Sequence, residues 1–296
     1  MSPAGDSGNR PAADPLAQYR RVLSDEVRAA WPILAGAVAD IDGYLAGGTA
    51  LATHLRHRRS YDLDYMAHQP FSGQDLFDRI AATARHAVCS RAEPDRMFAS
   101  VEGAAVEVFA PPRRGEHPGH VRRLAPPSRL AGMRIASLAD LLAMKIDVIM
   151  YRPKLRDFMD LAAIDNHGQF TLEDGLALHM QRYGTQPHST FLDRIVDRIE
   201  TPGPLPADPE FAAHAPRALD HLAARVPQLR SHIARTRRGT RGSGEPAPRS
   251  GPAGTLAPPP ATRPECGRRT AAGRCRNPQP PPGGKCAAGH ERPRTS

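Results

Sequence analysis

Leu45-Ala46-Gly47-Gly48-Thr49, ten further residues, then Ser60-Tyr61-Asp62-Leu63-Asp64-Tyr65 is the stretch that decides the fold. Asp62 and Asp64 alternate with Tyr61, Leu63 and Tyr65, which is the period of a strand, so the two carboxylates point to one face. Side by side they repel and need a compensating cation. Hard, oxygen-seeking Mg²⁺ is the usual one, commonly shared with substrate phosphates. Gly47 and Gly48 let the backbone approach a phosphate. The helix that follows, carrying Leu51 and Leu55 with Thr49 as its expected N-cap, offers free N–H groups and a positive dipole end. A phosphate cradle followed by a metal-holding acid pair is an arrangement for phosphoryl or nucleotidyl transfer. No Gly-Lys-Ser/Thr follows the glycines, so this is not a P-loop.

Upstream, Leu16, Tyr19, Leu23, Val27, Trp31 and Leu34 fall at helical spacing from Pro15 to Asp40, with Pro32 a point of kink or restart. Downstream, a helix is expected around Gln74–His86. Met97–Glu102 and Ala104–Ala110 flank Gly103 as a hairpin that Pro111-Pro112 ends. Residues 113–133 are rich in Arg and Pro and read as an exposed excursion. Ser137 caps a strong helix over Leu138–Met150, and further helices are expected at Lys154–Asn166, 171–183, 188–199 and 208–235. Short strands among helices followed by helices alone predict an α+β core and a helical half.

The chain has 296 residues, enough for a sizeable core. Residues 1–235 balance 28 basic against 28 acidic side chains, whereas 236–296 hold 12 basic and 3 acidic ones, so the whole net charge of +9 belongs to the tail. That excludes a globally basic fold that coats nucleic acid. No apolar run is long enough to span a membrane. Cys89 is the lone cysteine of the body, which points to a reducing, cytoplasmic setting, and it reads as a core thiol. The predicted organisation is a disordered leader at 1–14, the α+β core at 15–135, the helical half at 136–235, a Pro/Gly/Arg-rich linker at 236–264 and a basic tail at 265–296. In the tail, Cys266, Cys275, Cys286 and His290 make one tetrahedral ligand set for Zn²⁺, or else are incidental to a disordered basic segment. Either way the charge favours RNA or DNA phosphates.

Lys145 is one of only three lysines against 37 arginines, and it sits inside the apolar run Leu141-Leu142-Ala143-Met144-Lys145-Ile146. Its charge must snorkel or meet an anion, either a triphosphate or an ion-pair partner. Replacing it by alanine is expected to leave the fold intact. Asp157 and Asp160 share a helix face, near the N-terminus where acids meet the dipole. His54 and His57 read as surface residues.

The chain resembles the nucleotidyltransferase superfamily that includes DNA polymerase β. It is more similar to the AbiEii/AbiGii toxins of bacterial abortive-infection and toxin–antitoxin systems. The residues that carry the likeness are GGTALATHLRHRRSYDLDYM at 47–66, LADLLAMKIDVIMYR at 138–152 and LRDFMDLAAI at 155–164. The resemblance implies a Mg²⁺-dependent nucleotidyltransferase core with a small mixed sheet flanked by helices. Asp62, Asp64 and Glu107 would be the metal carboxylates, and Gly47, Gly48, Thr49, Arg59, Ser60 and Lys145 the contacts to a nucleoside triphosphate. Asp157 would be a functional acid, and Arg152 a contact to phosphate or acceptor. Implied partners are an RNA acceptor such as a tRNA end and a cognate antitoxin, with no membrane. Two other readings stay open: a nucleotidyltransferase acting on a small molecule such as an antibiotic, and a non-enzymatic RNA-binding protein with a vestigial site.

Overall fold

The computed structural model describes residues 14–110, 121–206 and 208–242. Nearly all of the expected leader, part of the 113–133 excursion, most of the linker and the whole Cys3His tail lie outside them.

The first helix is shorter than its apolar spacing suggests. Ala17–Tyr19 is a 3-10 turn, and α1 spans Asp25–Ala37. Ser24 sets the start because its side chain accepts from the Val27 N–H, with Asp25 and Glu26 in the first turn. The helix runs through Pro32 without restarting. Then come β1 (Tyr44–Leu45), α2 (Gly47–Leu55), β2 (Asp62–Met66) and α3 (Gly73–Ala81). The hairpin expected around Gly103 is present as β4 (Arg96–Val101) and β5 (Ala104–Phe109). Three strands were not legible in the sequence: β3 (Ala87–Glu93), β6 (Ser128–Leu130) and β7 (Met133–Ile135).

These strands form one mixed seven-stranded sheet in the order β3-β4-β5-β2-β1-β7-β6. β2 lies in the middle, parallel to β5 and antiparallel to β1. Its register sets Asp62 opposite Ala105 and Asp64 opposite Glu107. Leu63 and Tyr65 point the other way and are fully buried with Val106 and Val108. Period-2 alternation thus divides β2 into a core face and an acid face.

Five helices complete the described chain: α4 (Leu138–Tyr151), α5 (Leu155–His167), α6 (Leu172–Tyr183), α7 (Thr190–Glu200) and α8 (Ala215–Gly242). The architecture is α+β, with eight α-helices among the described residues. One buried apolar cluster runs from Leu16 through the sheet and α4–α7 to Ile233. α8 continues to Gly242, past its expected end at 235, because the Arg237 guanidinium pairs with Asp193 and donates to the Pro187 and Ser189 carbonyls. A buried pair, Asp140 with Arg182, ties α4 to α6. Asp140 also accepts from the Leu124 and Ala125 N–H groups at 3.0 and 3.3 Å. That anchorage fixes the α4 backbone, and with it Lys145, against the sheet.

Candidate active site

A cavity of about 380 Å³ opens where β2, β5, α2, α4 and α5 meet. Its acids are Asp62, Asp64, Glu107 and Asp157. Its cations are Arg58, Arg96, Lys145, Arg152, Lys154 and Arg156. Phe109, Leu141, Met144 and Val148 give it one apolar wall, and Gly47 and Gly48 form its rim.

The glycine turn is required by close packing. Gly47 has φ of +62°, and a Cβ there would sit 2.1 Å from Asp64 Oδ2. At Gly48 a Cβ would fall 2.4 Å from the Arg58 guanidinium. α2 starts at this turn with Ala46 as N-cap and no side-chain cap, so its first-turn N–H groups have no intrahelical partner. Thr49 is not the cap expected from the sequence. The helix opens three residues earlier, and the buried Thr49 hydroxyl instead lies 2.7 Å from Ser60 Oγ and touches the Asp62 carbonyl. Ser60 is also buried, at 1% exposure, and its hydroxyl lies 3.3 Å from Asp62 Oδ1. Neither Thr49 nor Ser60 lines the cavity; both brace the strand that carries the acid pair. Arg59 does not line it either, and its guanidinium lies over the Tyr61 ring.

Burial, then the nearby charges of Asp62 and Glu107, push the Asp64 carboxyl up to about 6. Hard carboxylate oxygens crowded on one face suit a divalent cation. No group of three or more His, Cys, Asp or Glu side chains among the described residues stands as a ready-made metal cage. Mg²⁺ is usually held by one or two carboxylates, with water and substrate phosphates completing its shell. Asp62 and Asp64 supply that number, so the residues fit the ion. Arg156 Nη1 lies 3.7 Å from Asp62 Oδ2.

Behind the cavity lies a buried charge network in which Lys145 meets the ion-pair partners that were one of its two expected readings, and Arg58 and His57 join unforeseen. Lys145 Nζ is 2.7 Å from Asp157 Oδ1 and 2.6 Å from Asp160 Oδ2. Arg58 grips Asp160 with two donors at 2.6 and 2.9 Å, and His57 Nε2 lies 2.7 Å from Asp160 Oδ1. Burial alone would raise the Asp160 carboxyl, but Lys145, His57 and Arg58 outweigh it and hold it far below the usual range. Burial likewise works against the Lys145 ammonium, yet Asp160 and Asp157 raise its pKa. Asp157 Oδ2 is buried without a hydrogen-bond partner. His57 is therefore no surface residue, and His54 is not one either, since its Nε2 meets the Ala136 carbonyl at 2.8 Å. Cys89 is half-buried on the edge strand β3, outside the core. The spacing of Asp160 three residues after Asp157 marked the shared face from which both meet Lys145. Nothing in the run Arg56-His57-Arg58-Arg59 marks which member turns inward.

A carboxylate strand beneath a glycine-opened helix in a mixed sheet places the chain among enzymes of nucleotidyl transfer. A family model described as nucleotidyl transferase AbiEii toxin, type IV TA system, matches residues 34–239, and the chain belongs to that family. Among solved structures it is similar to JHP933 from Helicobacter pylori, at 18% identity over 74% of this chain and 95% of that one, with a TM-score of 0.42. It is also similar to the nucleotidyltransferase toxin MenT4 from Mycobacterium tuberculosis, at 14% identity over 74% and 93%, with a TM-score of 0.41. No curated protein matches. Among the described residues no helix is long and apolar enough to cross a membrane.

Proposed function

We propose that this enzyme is a cytoplasmic, Mg²⁺-dependent toxin of a type IV toxin–antitoxin system that transfers a nucleotide from a nucleoside triphosphate to a hydroxyl of RNA, such as a tRNA end. The observation that carries the reading is the acid face of β2, with Asp62 and Asp64 on one side under the Gly47 turn and Glu107 in register beside Asp64. Asp62 and Asp64, with Glu107 adjoining, are the residues that would hold the ion. When bound, Mg²⁺ would neutralise charge on the triphosphate.

The uncapped start of α2 receives phosphate oxygens through its N–H groups. Lys145 spends two of its three donors on Asp157 and Asp160, leaving the third for a phosphate oxygen. The acceptor oxygen forms a bond to the α-phosphorus, the bond to the bridging oxygen breaks, and pyrophosphate leaves. The proton of the attacking hydroxyl passes to water, and the buried Asp157 positions the Lys145 ammonium. A cognate antitoxin is the partner that family membership suggests. Zinc binding by Cys266, Cys275, Cys286 and His290 is a separate proposal, on residues outside those described.

Incubation with each nucleoside triphosphate labelled at the α-phosphate, Mg²⁺ and total bacterial RNA tests the reading. Labelled RNA is expected, and Asp62→Ala or Asp64→Ala should abolish it. Mg²⁺-dependent labelling that survives both substitutions would overturn the site assignment.

A further inference from the structure

Tyr151 is 72% exposed, the most exposed large apolar side chain among the described residues. It ends α4, and the chain turns at once through Arg152, Pro153 and Lys154 into α5. Arg152 and Lys154 line the cavity mouth, both are exposed, and neither has an ion-pair partner among the described residues. Burial and then the Asp147 charge push the Tyr151 phenol up, and the Arg194 guanidinium on α7 works against them. The Tyr151 ring makes no ring or hydrogen-bond contact among the described residues. The other exposed tyrosine differs: the Tyr61 hydroxyl donates to Glu210, and Arg59 covers its ring.

An unpartnered aromatic ring, adjacent in the chain to unpaired cations that line a cleft, is the pairing that single-stranded nucleic acid needs. Bases stack on the ring whatever their sequence, and phosphates meet the cations. A paired base would be shielded from the ring by its own stack. We propose that Tyr151, Arg152 and Lys154 form a docking platform for single-stranded RNA, feeding its end toward the acid face of β2. The proposal rests on the RNA reading above and names the residues that recognise the acceptor. The platform belongs to the folded domain, so it is distinct from the basic tail.

The test is anisotropy of a short fluorescein-labelled single-stranded RNA with the full chain and no nucleoside triphosphate. Tyr151→Ala and Tyr151→Leu should each weaken binding about 5-fold or more, while Tyr151→Phe and Tyr151→Trp stay within about twofold of the parent. The double variant Arg152→Ala/Lys154→Ala should flatten the salt dependence by about 1.4 in log–log slope, the release expected for two phosphate contacts on a single strand. Ultraviolet crosslinking followed by peptide mass spectrometry should place RNA on the segment containing Tyr151. Unchanged affinity in Tyr151→Ala, rescue by Leu equal to that by Phe, or crosslinks confined to the tail would each overturn the platform. Binding is measured apart from catalysis, so a failure to label RNA would sink the proposed reaction and leave this result to stand or fall by itself.

Discussion

Asp64 sits where burial, Asp62 and Glu107 all oppose its ionisation, and its carboxyl titrates at about 6. A carboxyl whose folded pKa is raised stabilises the fold in its protonated form. That stability is fully present below the unfolded value and is lost as pH rises through the folded one. Near neutral pH the ionised Asp64 therefore costs the metal-free protein on the order of 3 kcal/mol. Asp64→Asn is expected to raise the melting temperature near neutral pH while abolishing transfer, and the gain should vanish below about pH 4. Melting curves across that range decide it; a gain that does not depend on pH would show that Asp64 is not the strained group. Lys145 behaves oppositely. Its substitution by alanine looked harmless from the apolar run alone, but the structure sets it between two buried carboxylates. Lys145→Ala strands Asp157, leaves Asp160 with Arg58 and His57, and should destabilise the fold by about 3–5 kcal/mol in urea titrations. Stability equal to the parent would mean that water reaches the pair freely.

Element by element, legibility followed the strength of the local pattern. β2, the β4–β5 hairpin and α4 through α7 were all visible, because their periodicity, caps and the Gly103 turn agree with their burial. β3 escaped because it is an edge strand whose side chains are half exposed, so no clean alternation marks it. β6 and β7 are three residues each within an Arg- and Pro-rich stretch, and only pairing with each other and with β1 makes them strands. The acid pair and the glycine turn were legible for the same reason as β2. The pairing of Asp160 with Arg58 and His57 was not, since charge pairing across about 100 residues leaves no local signal. The packing of α4 on α6 gives a test at this scale. Gly175 has no room for a side chain, for a Cβ would lie 2.5 Å from Ile146 Cδ1 and 3.0 Å from Leu142 Cγ. Gly175→Val should cost about 1–3 kcal/mol through overpacking. It should also lower activity by shifting α4 and the Lys145 it carries. A variant that keeps the parent's urea midpoint would show that the two helices can separate freely.

At the scale of the whole molecule, charge and catalysis are segregated. Residues 243–296 hold nine basic and three acidic side chains, while every residue proposed for the reaction lies between 47 and 160. Truncation belongs after Gly242, since a cut at 235 would remove the Arg237 contacts that fasten α8. The shortened protein is expected to bind RNA more weakly and with a flatter salt dependence. Pyrophosphate release with a small acceptor should change little. An unchanged salt slope would assign RNA affinity to the folded domain alone, and zinc analysis of the reduced full chain would decide the ligand set in the tail.

The site closes late along the chain. Asp62, Asp64 and Glu107 precede the residues that answer them, and Asp160 meets Arg58 and His57 only after about 100 further residues have been added. During synthesis the ribosome therefore releases the acid face well before Lys145 and Asp157 exist. A chain interrupted between Phe109 and α4 carries the would-be metal carboxylates without Lys145 or Asp157. The proposed catalytic set is thus assembled only once α5 has been made, and a translation product abandoned before it carries an incomplete site.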